Sequence, residues 1–258
     1  MKSKLFDLIV VVVLPIIATI ATFIFTANLF VAILLYFGLP ALYLSVRNTA
    51  IISKSVLFAA IFFIPLSLFF DTTLAVNGAY IISDTVFPFR ILGISAIELY
   101  LYAFFWLLFP VLFYEHFFDN GKSGDSLSSH VRYLMYAMVA LASSVTVIFF
   151  FHRAWLYVPY AYFILASVSI CVPLLLFLWN YPQFIGRYIL ISAYFFGVMF
   201  VFELAALHNH QWIFPGQYVG LVRFFGYAFP FEEFLFWMIF GTPALLVYYE
   251  YFADNRKL

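Results

Sequence analysis

Five carboxylates in this chain have the type and spacing for acid/base chemistry: Asp71, Glu98, Glu203, Glu232 and Glu233. Each lies in or beside a long apolar run, where an ionised carboxylate is costly and is therefore a functional candidate by default. A carboxyl kept protonated by apolar surroundings can act as a general acid, and a second, ionised carboxylate can take a proton away. Glu232 and Glu233 are the leading acid and base, with Glu98, Asp71 and Glu203 as orienting or alternative partners. Neighbours on a helix point about 100° apart, so the two glutamates are expected to be unequal, one facing an apolar cavity and the other its rim. A plainer role is also open. Pro230 just precedes them, and a proline in the first turn leaves both charges to complement the positive end of the helix dipole.

Other chemistries find less to work with. His208 and His210 flank Asn209 near Glu203, but two histidines two residues apart make no metal site, and HxxxH clusters are missing. Cys171 is the single cysteine, which excludes an intrachain disulfide, a CxxC pair and a cysteine zinc cluster. Gly121 to Ser123 reads GKS, yet His116 stands where a phosphate-binding loop needs its first glycine; GxGxxG and the Asp-rich motifs of membrane prenyltransferases are also lacking. No cofactor and no metal are expected. Aromatic residues make up 24% of the chain. Their faces can wall a cavity that stabilises a carbocation, although Phe is equally a packing and lipid-facing residue.

The elements that position these groups are set by the solvent. The 258 residues are 67% hydrophobic and 9% charged, far from the composition of a water-soluble domain. Continuous apolar runs predict eight transmembrane helices near 6–26, 29–46, 55–75, 95–114, 132–151, 156–179, 187–206 and 231–252. Lys2 and Lys4 before Leu8–Phe25 imitate a secretory signal, but the run is long and leads almost directly into the next, so it is read as a first span. Lys2, Lys4, Arg47, Lys54, Lys122, Arg132, Arg187, Arg256 and Lys257 fall on one side, and Arg90, Arg153 and Arg223 on the other. The positive-inside rule then puts both termini in the cytoplasm, with the plasma (inner) membrane as the expected location. Net charge is zero, without a basic patch, which sets nucleic acid aside as a partner.

The chain also matches itself. At a shift of 135 residues Glu98 falls on Glu233, Tyr114 on Tyr249, Glu115 on Glu250 and Asp119 on Asp254; at 132, Asp71 falls on Glu203 and Tyr80 on Trp212. Eight of the twelve acidic residues pair off in this way. Two repeats, 1–122 and 123–258, are expected, each of four spans and therefore parallel, with Asp119–Arg132 as linker. Glu115 and Glu250 lie about 25 Å of helix away from Glu98 and Glu233, which predicts ion pairs in the headgroup region.

The second half, FELAALHNHQWIFPGQYVGLVRFFGYAFPFEEFLFW followed by YYEYFADN, resembles the integral-membrane, non-flavoprotein lycopene cyclases, whose small domains open a helix with PxE(E/D). FFDTTLAVNGAY, GISAIELYLYAFFWLLFP and FYEHFFDN in the first half look like the same domain in weaker form, with Ser95, Ala96 and Ile97 where PFE stands at 230–232. The resemblance implies an all-α polytopic bundle and proton-initiated cyclisation of a polyene end group, an isomerisation without net redox change. The lipid bilayer, a hydrophobic polyene and another subunit, like or unlike, are the expected partners. A non-catalytic membrane protein, either a small transporter or a structural partner of membrane enzymes, is the alternative from another class.

Overall fold

A computed structural model of the protein describes residues 2–83, 85–119 and 126–254. The expected division between 122 and 123, Lys122, Arg256 and Lys257 lie outside the described residues, as does the side chain of Lys2. Without water in a hydrocarbon core, backbone polar groups must bond within their own helix, and the apolar runs do so. Seven helices are long and apolar enough to cross a membrane: α1 (Lys4–Phe25), α2 (Leu29–Arg47), α3 (Thr49–Val76), α4 (Ile97–Asp119), α5 (Val131–Phe151), α6 (Ala161–Asn180) and α7 (Pro182–His208). An eighth, α8, covers 231–253. Their outward faces carry Ile16, Ile17, Phe150, Leu175 and Leu176. The chain is a multi-pass membrane protein of all-α fold.

Local chemistry sets the boundaries. Thr26 takes a left-handed φ of 45° and Asn28 caps α2 by accepting from the Val31 N–H at 2.9 Å, so three residues, two of them polar, suffice to part the first two helices. The sixth helix begins later than expected, at Ala161. Arg153–Leu156 forms a separate 3-10 turn and Tyr160 is left-handed at φ 53°.

Prolines reshape three helices. A π-helical stretch ends two residues before Pro40, before Pro173 and before Pro243, at Leu34–Gly38, Ser167–Cys171 and Glu233–Gly241. Proline lacks an N–H and pushes away the carbonyl four residues earlier, and a wider turn absorbs that displacement. Two of those carbonyls find side-chain donors: Tyr248 donates to the Ser169 carbonyl at 2.9 Å, and Ser192 to that of Ile239.

Elements recur at a spacing of 133. The π stretches of α2 and α6, the 3-10 turns Thr49–Ile51 and Pro182–Phe184, and the left-handed pairs Leu92–Gly93 and Phe225–Gly226 all obey it. Packing recurs too: α3 lies on α4 and α7 on α8, while α2 packs on α4 and α6 on α8. The first helix of each half crosses over, α1 packing on α7 and α5 on α3. The halves are therefore interleaved rather than side by side.

Short ribbons close one end of the bundle. β1 (Ile81–Ile82) follows α3, and β4 (Trp212–Ile213) follows α7; they pair antiparallel, Ile81 with Ile213 and Ile82 with Trp212. Two hairpins lead into α4 and α8: β2 (Arg90–Ile91) with β3 (Ser95–Ala96), and β5 (Leu221–Phe224) with β6 (Tyr227–Pro230).

Candidate active site

Beneath the β1–β4 ribbon lies a cavity with about 820 Å³ of empty space, bounded by α3, α4, α7 and α8 and by Tyr162 of α6. Three of the five candidate carboxylates line it: Asp71 from α3, Glu203 from α7 and Glu233 from α8. The rest of its wall is chiefly apolar and aromatic, including Phe70, Tyr102, Trp106, Phe202 and Trp237. Tyr102 stacks on Phe202 at 5.6 Å between centroids, and Trp237 meets Trp106 edge-on at 5.3 Å.

Each carboxylate has its own donor. Tyr80 donates to Asp71 Oδ1 at 2.6 Å, Trp212 Nε1–H donates to Glu203 Oε1 at 3.0 Å, and Tyr162 donates to Glu233 Oε2. Ser67, one turn before Asp71, adds a second donor to that carboxyl. The pairing of β1 with β4 explains the first two bonds. Tyr80 leads into one strand and Trp212 begins the other, so one small ladder fixes both donors above their acids. Burial, followed by the adjoining Asp71, pushes the Tyr80 phenol well above its ordinary value, which keeps it a donor. Among the described residues no Lys or Arg pairs with any of the three acids. A second, more polar pocket of about 680 Å³ adjoins the cavity; Asp71 and Tyr80 line both, and Arg90 lines its outer part.

Glu98 and Glu232 lie elsewhere. Glu98 begins α4 and bends back onto the preceding loop, where Oε1 accepts the N–H groups of Val86 at 2.7 Å and Phe87 at 3.0 Å. Glu232 does the same at the start of α8, accepting from Val219 N–H at 2.7 Å. Both are wholly buried, so Glu232 faces a loop backbone rather than an exposed rim. By this shared role the counterpart of Glu98 is Glu232, at a spacing of 134, and the 135 alignment of Glu98 with Glu233 needs correction. The cause is the π stretch Glu233–Gly241, absent from α4, because a π-bulge adds one residue to a helix. Beyond it the spacing is 135, as in the reciprocal bonds that Tyr114 makes to Glu250 and Tyr249 to Glu115.

At the far end of α4 and α8 the ion pair expected of Glu115 is present and buried within the protein, while Glu250 accepts from Tyr114. Lys54, expected in a loop, lies inside α3 at 1% exposure and pairs with Glu115 at 3.1 Å and Asp254 at 3.6 Å. Its aliphatic stem suits the apolar surroundings, and two carboxylates offset the buried charge. His208 does not join Glu203; it hydrogen-bonds Tyr227 at 2.8 Å and stacks on Phe23. Sequence reasoning did not single out Tyr162, which has no local signal among 19 tyrosines. Lys54 had one: a lysine set between the apolar Ala50–Ile52 and the long apolar run that begins at Val56. No family model, curated protein or solved structure matches the chain.

Proposed function

We propose that the protein is a membrane enzyme that cyclises the end group of a linear polyene, with lycopene as the type substrate. The observation that carries this reading is the convergence of Asp71, Glu203 and Glu233 on one aromatic-walled cavity. Cyclisation needs a proton donor, a dry space for a cation and a base, and nothing that changes oxidation state. Glu233 is the acid, held by Tyr162 so that its other oxygen is left to the cavity. Its proton adds to the terminal double bond, and the second double bond attacks the cation, closing the ring. Asp71, which accepts from Tyr80 and Ser67, removes a proton from the carbon beside the new cation. Aromatic faces stabilise the positive charge while it lasts. Glu203 is the alternative base. Asp71 releases that proton into the polar pocket it also lines, and Glu233 takes up one proton before the next turnover.

With both termini cytoplasmic in the plasma membrane, this cavity lies towards the outer side. Cysteine labelling should then reach positions 153 and 217 only from outside and position 187 only from inside. The central test is expression in a bacterium that accumulates lycopene, followed by pigment extraction. Cyclic carotenes are expected; unchanged lycopene beside folded protein overturns the reading, in favour of the transporter or structural role.

A further inference from the structure

We propose that a second apolar cleft, opening to the bilayer between α5 and α6, holds the unreacted arm of the polyene. This inference rests on the reading of the carboxylate cavity as the place where one end reacts. The cleft has about 1190 Å³ of empty space between α3, α5, α6 and α8. Leu66, Phe70, Trp106 and Trp237 line both it and the carboxylate cavity, so those side chains form the wall that the two spaces share. Its mouth is open sideways because α5 packs on α3 while α6 packs on α8. Val168 at that mouth is 63% exposed.

The chemistry of the lining selects the occupant. Its polar side chains, Ser169 and Tyr248, are turned inward on the protein itself: Ser169 donates to the Leu165 carbonyl at 2.6 Å, and Tyr248 to the Ser169 carbonyl. Among the described residues no charged side chain lines the cleft to hold a charged head; the Trp106 N–H is the buried polar atom there without a hydrogen-bond partner, and the walls include aromatic faces on which a conjugated chain stacks. An extended uncharged polyene fits, with one end among the carboxyls and the rest running towards the lipid.

The other half of the molecule shows what closes such a space. At the 133 spacing Ser169 and Ile170 correspond to Tyr36 and Phe37. Those two rings are wholly buried and meet Phe202 edge-on at 5.3 Å and 5.0 Å. The cleft therefore exists on one side of the bundle because a serine stands where a tyrosine would fill it.

The test is binding without turnover. An uncharged conjugated tetraene ester is titrated into the purified full-length protein in nanodiscs, and energy transfer from tryptophan is measured. Trp106 and Trp237 are the donors closest to a bound chain. Saturable transfer is expected, weakened roughly ten-fold or more by Ser169→Tyr, because an added ring overpacks the site. Leu175→Tyr, on the lipid-facing side of α6, should leave it unchanged. If Ser169→Tyr fails to fold, Val168→Phe at the mouth serves in its place. Transfer that never saturates, or equal transfer in wild type and the cleft variants, means that the cleft holds bilayer lipid only and overturns the proposal. Failure of the cyclase reading is a separate result: lycopene is left unchanged while the tetraene still binds and Ser169→Tyr still weakens it.

Discussion

At one end of α4 and α8, Glu115 and Asp254 are buried around Lys54; at the other, Asp71, Glu203 and Glu233 are buried around a cavity with donors but no cation among the described residues. Both regions take carboxylates out of water, and they offset the cost differently. A lysine neutralises charge permanently and leaves little for a carboxylate to do beyond holding helices together. Tyrosine, serine and tryptophan donors orient a carboxyl without fixing its proton, and an open cavity gives that proton somewhere to go. Burial of an acid therefore does not mark a reactive site; what surrounds it does.

Substitutions can break this contrast. The largest effect is expected from Glu233→Gln, which keeps the shape and removes the donor proton: turnover should fall about 10²–10⁴-fold with the unfolding midpoint almost unchanged, as measured by product formation and thermal unfolding on the same sample. Lys54→Met is the mirror experiment. It strands two buried carboxylates and should destabilise the fold by about 3–5 kcal/mol, read by denaturation in mixed micelles. If the surviving folded protein also loses turnover, the two ends are not functionally separate.

Smaller changes sharpen the distinction within α8. Glu232→Ala orphans the Val219 N–H and should cost about 1–3 kcal/mol of stability, and Glu98→Ala, which orphans two such groups, should cost more. Glu232→Gln restores an acceptor and should recover both stability and turnover, which a catalytic glutamate would not allow. The mildest change is Tyr162→Phe: loss of one hydrogen bond to Glu233 should lower kcat roughly 2–10-fold at near-constant KM.

Much of the fold could be read before any coordinates. Apolar runs placed eight helices, and Thr26 and Asn28 on either side of Ala27 marked the break between the first two. The match of Asp71 with Glu203 and of Tyr80 with Trp212 foreshadowed two acid–donor pairs, because a rare acid and its partner recurring at one spacing signal a shared local structure. The match of Glu98 with Glu233 misled by one residue, since an alignment without gaps cannot see a π-bulge. The β1–β4 ribbon escaped notice for a similar reason: its two-residue strands are too short to show alternation.

The sequence by itself determined the solvent and the class of architecture, because both follow from composition and run length, which do not depend on how helices pack. Only the tertiary structure decided which acids share a cavity. Glu232 and Glu233 are chemically identical neighbours, and which of them meets the cavity goes with the π stretch Glu233–Gly241. That stretch inserts one residue, aligning Glu232 with Glu98 on a loop backbone and leaving Glu233 for the cavity. A displacement propagated along a helix in this way has no signature in either glutamate, since it depends on how the whole of α8 packs against α6 and α7.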